Sequence, residues 1–392
     1  MPDIKLRNQV RLPIAMTNEP FDLAFHPNES VIFSSLLTGE VKAWRYDDEN
    51  GSTSSSWSVR PSKRTARALA VEESGKHIWM GGKSGTLFQL TTEMGTIVRE
   101  QEKAHDVPIN RVFCVNENLI ASGDDDGIIK LWDPRKQDVI REYNQHFDYI
   151  SDFTYFEDKR QLVSTSGDGH LSVIDIRSNK AQPLTVSADQ EDELLSIVQI
   201  KGGQKAIVGS GLGILSIWNR KLGWGDSVDR IPGHPASIDA IVALTPDIIA
   251  TGSEDGMIRV LQVLPHKFLG VIASHEEYPI ERIKLDRNSR WLGSVSHDEC
   301  LKLTDVSDLF EDSDGEGEDE EEDEDEETEQ DEDDDGKQEE QEGGEEADSD
   351  SDEEMEVEQE KPKKKKKKGK GGLGDLGRGG AEKENADFFA DL

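Results

Sequence analysis

Cysteine is scarce: Cys114 and Cys300 are the two in 392 residues. A single disulfide does not make a secreted scaffold, so that class is excluded and a reducing compartment is expected. Both cysteines sit in strand-like apolar runs and read as small buried hydrophobes. Long apolar runs are missing as well. None approaches the roughly 18 residues that a membrane-spanning helix needs. Residues 1–10 alternate charged and apolar groups and contain no apolar stretch of the signal-peptide type. The expectation is a soluble intracellular protein without a secretory leader.

Motifs of catalysis are absent too. There is no HExxH, no pair of CxxC motifs and no GxSxG. Gly82-Lys83-Ser84 has the ending of a phosphate-binding loop, but His77 stands where that loop requires its first glycine. Gly209-Ser210-Gly211-Leu212-Gly213 is glycine-rich, yet it belongs to the repeat described below. The sequence therefore predicts no catalytic residue, no cofactor and no metal site, and binding rather than an enzymatic activity.

Positive charge is in deficit, and unevenly so. The formal net charge is −38. Residues 311–360 hold 33 acidic side chains against one lysine, and residues 361–392 hold 10 basic and 5 acidic ones. That leaves 45 acidic and 34 basic side chains in residues 1–310, a net of −11. A mildly acidic body with a strongly polarised tail is implied. Broad contact with phosphate backbones is unfavourable for such a body, because that contact is largely neutralisation by Lys and Arg.

What the body does contain is a repeat. A small-residue stretch, a Gly/Asp turn and an alternating apolar strand recur with turn anchors at Gly39, Gly85, Gly127, Gly169, Gly213, Gly256 and Glu299. The spacings are 46, 42, 42, 44, 43 and 43 residues. A period of about 40–45 residues is that of a four-stranded propeller blade. Asp-Gly supplies the positive φ of a tight hairpin, and Ile128-Ile129-Lys130-Leu131-Trp132 shows the alternation of the strand that follows. Two strands precede each turn, as in residues 111–115, and a fourth follows, as in residues 139–143. The seventh unit lacks its fourth strand, whereas residues 9–15 form a spare one. The N-terminal strand is therefore predicted to complete the last blade and remove the open edges.

These residues resemble the WD-repeat family. Leu131-Trp132-Asp133 carries the signature dipeptide, and Trp44 and Trp218 keep the Trp position while Ile174 and Leu261 replace it. The resemblance implies a buried network of His105, Ser122, Asp126 and Trp132. Partial copies pair His146 with Asp168, His234 with Asp255 and His275 with Asp298, at separations of 21 to 23 residues. Recurrence once per repeat reads as a structural bond, not as a catalytic pair. The fold class expected is all-β: a seven-bladed WD40-type β-propeller over residues 1–308, a disordered acidic tract over 309–360 and a disordered lysine- and glycine-rich tail over 361–392.

The tail carries three further expectations. Ser313, Ser349 and Ser351 each have an acidic residue three positions on, which suits an acidophilic kinase. Lys361, Lys363, Lys364, Lys365, Lys366, Lys367, Lys368 and Lys370 read as a nuclear localisation signal, since no aromatic residues interleave to stack on bases. The acid tract reads as a polyanion mimic for basic clients such as ribosomal proteins or histones. Phe388-Phe389 near the end is a candidate docking motif.

A propeller followed by an acid-rich stretch, a lysine cluster and a Phe-Phe-x-x-Leu ending, with the N-terminal segment Asn18–Pro27 (NEPFDLAFHP) leading in, resembles the WD repeat-containing protein 55 family. That resemblance implies a nucleolar scaffold for ribosome biogenesis, in pre-rRNA processing and large-subunit assembly. It implies a monomeric propeller within a larger complex, with pre-ribosomal particles as partners. Two other classes stay open. Trp132-Asp133-Pro134-Arg135 fits the WDxR box by which some propellers dock on the adaptor of a cullin-based ubiquitin ligase, and Asp175 with Arg177 repeats it one blade later. A histone-binding chaperone or reader is the second. Trp57, Tyr149 and Trp224 are candidate loop aromatics for a docking face.

Overall fold

The computed structural model describes residues 11–309. The lysine run, the three tail serines, the acid tract and the Phe-Phe ending lie outside the described residues. Among the described residues there is no α-helix, and 28 strands form seven four-stranded sheets.

β1 (Arg11–Ala15) comes first in the chain but not in the first sheet. Blade 1 is built from β2 (Pro20–Phe25), β3 (Val31–Leu36), β4 (Val41–Tyr46) and β5 (Thr53–Val59). Blade 2 is β6 (Ala66–Val71), β7 (His77–Gly82), β8 (Leu87–Thr91) and β9 (Ile97–Gln101). Blade 3 is β10 (Ile109–Asn116), β11 (Leu119–Asp124), β12 (Ile129–Trp132) and β13 (Val139–Tyr143). Blade 4 is β14 (Ile150–Phe156), β15 (Gln161–Ser166), β16 (Leu171–Asp175) and β17 (Thr185–Val186). Blade 5 is β18 (Leu194–Ile200), β19 (Lys205–Ser210), β20 (Leu215–Asn219) and β21 (Asp229–Ile231). Blade 6 is β22 (Ile238–Ala243), β23 (Ile248–Ser253), β24 (Met257–Gln262) and β25 (Lys267–Ser274). Blade 7 is β26 (Ile280–Leu285), β27 (Trp291–Ser296) and β28 (Cys300–Asp305), and its fourth strand is β1.

Side-chain chemistry follows each strand's place in its blade. The second strands are covered on both faces, so β3, β11 and β27 are buried at every position and read as runs of apolar and small residues, broken only by Asp124 at the end of β11. The fourth strands form the outer edge, and β5 (TSSSWSV) has no buried position. First strands pack side by side around the centre in the order β2, β6, β10, β14, β18, β22, β26 and back to β2. The apolar core lies between neighbouring sheets. One cluster joins Val31, Phe33 and Val41 of blade 1 to Leu69, Ile78 and Phe88 of blade 2.

Six of the turn anchors are glycines with φ between 67° and 83°, and the seventh, Glu299, adopts the same left-handed backbone at φ 56°. The turn type is thus kept where the glycine is lost. Cys114 and Cys300 are free thiols, half-buried in β10 and β28.

The ring closes between β1 and β28. Their antiparallel ladder runs from Arg11↔Thr304 to Ala15↔Cys300, and the Met16 amide donates to the Glu299 carbonyl at 2.8 Å. Ile14 and Met16 then pack with Leu301, Leu303 and Trp291 of blade 7 and with Leu23 and Trp44 of blade 1. Deleting residues 1–17 is expected to lower the melting temperature by about 10 °C or more, or to cause aggregation. Losing the burial of Ile14 and Met16 costs about 2–3 kcal/mol each, and each kcal/mol is about 2–4 °C in a domain of this size. Calorimetry of the truncated protein checks this; full solubility with unchanged melting contradicts it.

Candidate functional site: the central channel and the two loop faces

Within blade 3 the expected network forms with one change of partner. Trp132 Nε1 donates to Ser122 Oγ at 2.8 Å, and the Ser122 hydroxyl lies 2.7 Å from His105 Nε2. His105 Nδ1 then meets Asp124 at 2.6 Å, not Asp126. Asp126 is exposed. β11 runs on to Asp124, so the first of three consecutive aspartates sits at the strand end facing the histidine loop. Its other oxygen accepts the amides of Asp126 and Ile128 and ties the turn. In other blades His146 meets Asp168 at 3.0 Å and His275 meets Asp298 at 2.7 Å. Blade 6 differs: His234 bonds Thr251 at 2.8 Å, and Asp255 is taken by Arg259. Burial, with Arg259 nearby, presses His234 down to about 4, so it is neutral at pH 7. These groups are buried inside blades and bond one another, which is a stabilising role.

The aromatic candidates are also placed. Trp57 lies on β5, not in a connection, and its Nε1 donates to the Thr92 carbonyl at 2.9 Å. Trp224 is buried, with its ring 5.4 Å from Phe156 and 6.4 Å from Trp218. Tyr149 remains in a loop, and its hydroxyl donates to Glu193 at 3.0 Å.

The centre holds a feature that motif reading missed. Every first strand has a register shift at its start, between Pro20 and Asp22 in β2 and between Ile280 and Arg282 in β26, with equivalents in the other five. Such bulges re-aim side chains. The residue just past the shift is Asp22, Ala68, Arg111, Asp152, Ser196, Ala240 or Arg282. Four of these seven are charged and alternate in sign around a closed ring. Arg111 lies 3.2 Å from Asp22 and 3.0 Å from Asp152. Arg282 lies 3.4 Å from Asp152 and 3.5 Å from Asp22. Backbone amides of Leu23 and Leu69 also donate to Asp22. Burial disfavours charge on Arg111, but the Asp152 and Asp22 carboxylates outweigh it and raise its proton affinity. A signal existed in the sequence: a charged residue at the same register, two positions after the first residue, in four of the seven first strands.

This ring separates two cavities. One, of about 260 Å³, opens beyond the far ends of the first strands and is lined by Phe25, Phe113 and Lys284. The other, of about 340 Å³, opens on the face that carries the histidine loops and the Gly/Asp turns, here the turn face. Its wall includes Arg67, Asn110, Asp125, Tyr149, Asp239 and Glu281, with Arg282 also lining it. Arg67 and Asn110 both hold Asp125, at 3.1 and 2.5 Å. Asp239 has a hydrogen bond from Ser237 at 2.7 Å. Burial, reinforced by Glu281 and Glu254, pushes its carboxyl up to about 7.

Charge is segregated around this face. Connections from residue 125 to residue 299 on the turn side carry Asp148, Asp189, Glu191, Asp192, Glu193, Glu254, Glu276 and Glu277, and no lysine or arginine. Arg60, Lys63, Arg64, Lys83 and Lys103 all fall in the connections around blade 2.

The opposite face displays the two WDxR-type turns. Trp132 itself is buried. Asp133 accepts the amide and the guanidinium of Arg135, and Asp175 does the same for Arg177. Those bonds hold the Asp133 carboxyl below the usual range and bring Asp175 to about 2. Arg99 of β9 props the first turn through the Pro134 carbonyl at 2.7 Å, and Arg141 of β13 props the second through the Ile176 carbonyl at 2.5 Å. Arg135 and Arg177 are 68% and 60% exposed, so both present their guanidinium to solvent.

Two outcomes follow. Asp124→Asn is expected to cost about 1–3 kcal/mol in urea unfolding, as for a broken buried network, whereas Asp126→Asn stays within about 0.5 kcal/mol. Equal effects would contradict the reassigned pairing. For Asp239, the folded-state value of about 7 exceeds the unfolded 3.8, so its contribution to stability is present below pH 4 and lost as pH rises to 7. Asp239→Asn is therefore expected to melt progressively higher than the wild type between pH 5 and 8; parallel melting curves across that range would contradict it.

Comparison with known proteins gives the family. The WDR55 family model matches residues 12–309. WD repeat-containing protein JIP5 of Cryptococcus neoformans is 76% identical, covering 80% of this chain and 88% of the relative. WD repeat-containing protein 55 of Arabidopsis thaliana is 37% identical, covering 75% and 82%. Its Bos taurus counterpart is 34% identical, covering 73% and 74%. The crystal structure of the WD40 β-propeller domain of Doa1 superposes with a TM-score of 0.64 at 14% identity, over 76% of this chain and 96% of that one, which is a likeness of fold. A closed ring of seven WD-type blades and relatives of this identity in fungi, a plant and an animal lead to one conclusion: the chain belongs to the WDR55 family.

Proposed function

We propose that the protein is a non-enzymatic nucleolar scaffold in ribosome biogenesis, acting in pre-rRNA processing and large-subunit assembly as one propeller within a larger particle. The resemblance to the WD repeat-containing protein 55 family supplies the process. The observation that carries the scaffold role is the segregation of charge on the turn face, where acidic connections run on without a lysine or arginine from residue 125 to residue 299. Such a surface attracts basic protein segments and repels phosphate backbones. The acid tract of residues 311–360 adds to the same attraction, and the lysine run beginning at Lys361 supports a nuclear address. The clients proposed are therefore basic proteins of pre-ribosomal particles, with histones as the competing class.

A second reading has its own observation. Arg135 and Arg177 stand exposed on neighbouring blades, each braced by its own aspartate and by an arginine of the preceding blade. Two rigid copies of one turn fit docking on the adaptor of a cullin-based ubiquitin ligase. Arg135→Ala with Arg177→Ala is expected to abolish capture of that adaptor; undiminished capture removes this reading.

The first reading is tested by a sucrose-gradient profile of the tagged native protein with RNA probing of the fractions. Co-sedimentation with large-subunit precursors and their rRNA is expected. Confinement to light fractions would contradict it, and co-purifying histones or ligase subunits at moderate salt would identify the alternative.

A further inference from the structure

Blade 2 lacks the polar network that blade 3 carries. Met80, Leu90 and Gly82 hold the register of Ser122, Trp132 and Asp124. The connection that enters blade 2, residues 60–65, has changed with it. Its Ser62 and Arg64 carbonyls close over Gly39, as those of His105 and Val107 close over Gly85 and those of His234 and Ala236 over Gly213. Ser62 therefore stands where the next connection places its buried histidine. Blade 2 offers no serine or aspartate to receive an imidazole, so this loop sends none inward. It sends Arg60, Lys63 and Arg64 outward instead, and all three are exposed.

These cations have no carboxylate partner among the described residues. The contrast with the opposite face is direct, because Arg135 and Arg177 are exposed but each is spent on its own aspartate. The loop is nevertheless held. Arg60 Nε donates to the Thr38 carbonyl at 2.7 Å, and the Arg64 amide donates to Ser62 Oγ at 3.0 Å. Two further cations stand alongside. The Lys83 amide donates to the Thr65 carbonyl at 2.9 Å, which seats the β7–β8 turn next to Arg64. The His105 amide donates to the Gly85 carbonyl at 2.9 Å, which brings Lys103 next to that turn. Residues 60–65, 83–86 and 102–108 thus form a track with five cations against two carboxylates, Glu102 and Asp106.

The track has no apolar anchor. The exposed large hydrophobic residues of the described chain all lie outside these three segments. Protein partners dock on buried aromatic and aliphatic anchors, whereas a phosphate backbone needs cations and hydrogen-bond donors alone. Without exposed aromatic rings there is no platform for unpaired bases either. The chain's own acid tract continues from Leu309, beyond the end of β28 that points away from the turn face. On the turn face itself the acidic connections of residues 125–299 repel phosphate, so contact is narrow and confined to blade 2.

We propose that Arg60, Lys63 and Arg64, continued by Lys83 and Lys103, bind the phosphate backbone of a double-helical RNA segment without reading its sequence. The geometry asks for phosphate; the choice of RNA over DNA rests on the ribosome-biogenesis reading. Basic proteins on the acidic sector and an RNA helix on blade 2 would then share one face, held side by side by a rigid ring.

The test uses the full-length chain and an RNA hairpin carrying 4-thiouridine. Photo-adducts are expected within residues 60–65 and 102–108. Affinity is then measured with the six lysines of residues 363–368 changed to glutamine, so that the tail does not mask the body. Arg60→Gln with Lys63→Gln and Arg64→Gln is expected to weaken binding about tenfold and to reduce the slope of log affinity against log salt by about 2–3. An unchanged melting temperature verifies folding. Lys63→Glu alone, which removes no bond of the loop, is expected to weaken binding about threefold. Lys159→Gln with Lys180→Gln and Lys221→Gln, an equal loss of charge on the opposite face, is expected to leave the affinity unchanged. Adducts confined to residues 361–370, or an affinity and slope untouched by the triple change at residues 60–64, overturn the proposal. Hairpin binding that appears only after residues 311–360 are removed also overturns it, assigning the track to the chain's own acid tract. So does labelling of the track by a DNA duplex but not by the RNA hairpin. Adducts on the track from a protein that sediments only in light fractions would uphold this site and remove the assembly reading, so the two fail separately.

Discussion

Five residues at the beginning of the described chain hold the ring together. β1 pairs with β28, and without that ladder blade 7 would end on an open edge while the first and last blades lost their shared apolar cluster. The other six sheets are each built from consecutive strands, so they are local in sequence; this one joins residues almost 300 positions apart. The arrangement is a latch. Its strength comes from burial as well as from backbone bonds, since Ile14 and Met16 sit among Trp291, Leu301, Leu23 and Trp44. With β1 in place blade 7 has four strands like the other six, and the centre can then be built to a fixed width.

That fixed centre is what allows four buried charges to coexist. Asp22, Arg111, Asp152 and Arg282 come from blades 1, 3, 4 and 7, and each meets two partners of opposite sign. An isolated buried charge is strongly unfavourable, so the ring is stable only while the blades keep register with one another. It reports on closure and divides the channel into two mouths of different character. Phe25, Phe113 and Lys284 line one mouth; Asp239 and Glu281 line the other.

The fold was legible because each blade repeats one short physical instruction. A left-handed turn residue is needed where the second strand meets the third, and six glycines at near-constant spacing supply it. Glu299 shows the limit of that signal, since the position is recognised by period and not by residue type. Finer detail was less legible. Three consecutive aspartates precede Gly127, and only the extent of β11 decides that Asp124 is the one facing His105. Trp57 lies in a serine-rich stretch that resembles a loop because outer strands are exposed. Histidine spacing suggested a pair for His234, but Arg259 claims Asp255 first. The charge ring joins Asp22 to Arg282, and no local pattern reaches across that distance.

Native-state hydrogen exchange at the seam tests ring closure most directly. The Met16 amide, bonded to the Glu299 carbonyl, is compared with amides in the middle of β27. Closure as the constraint on the whole ring predicts equal protection, with Met16 exchanging only through global unfolding. Fast exchange at Met16 while β27 stays protected would mean that the seam frays on its own, and that the blades hold together without it.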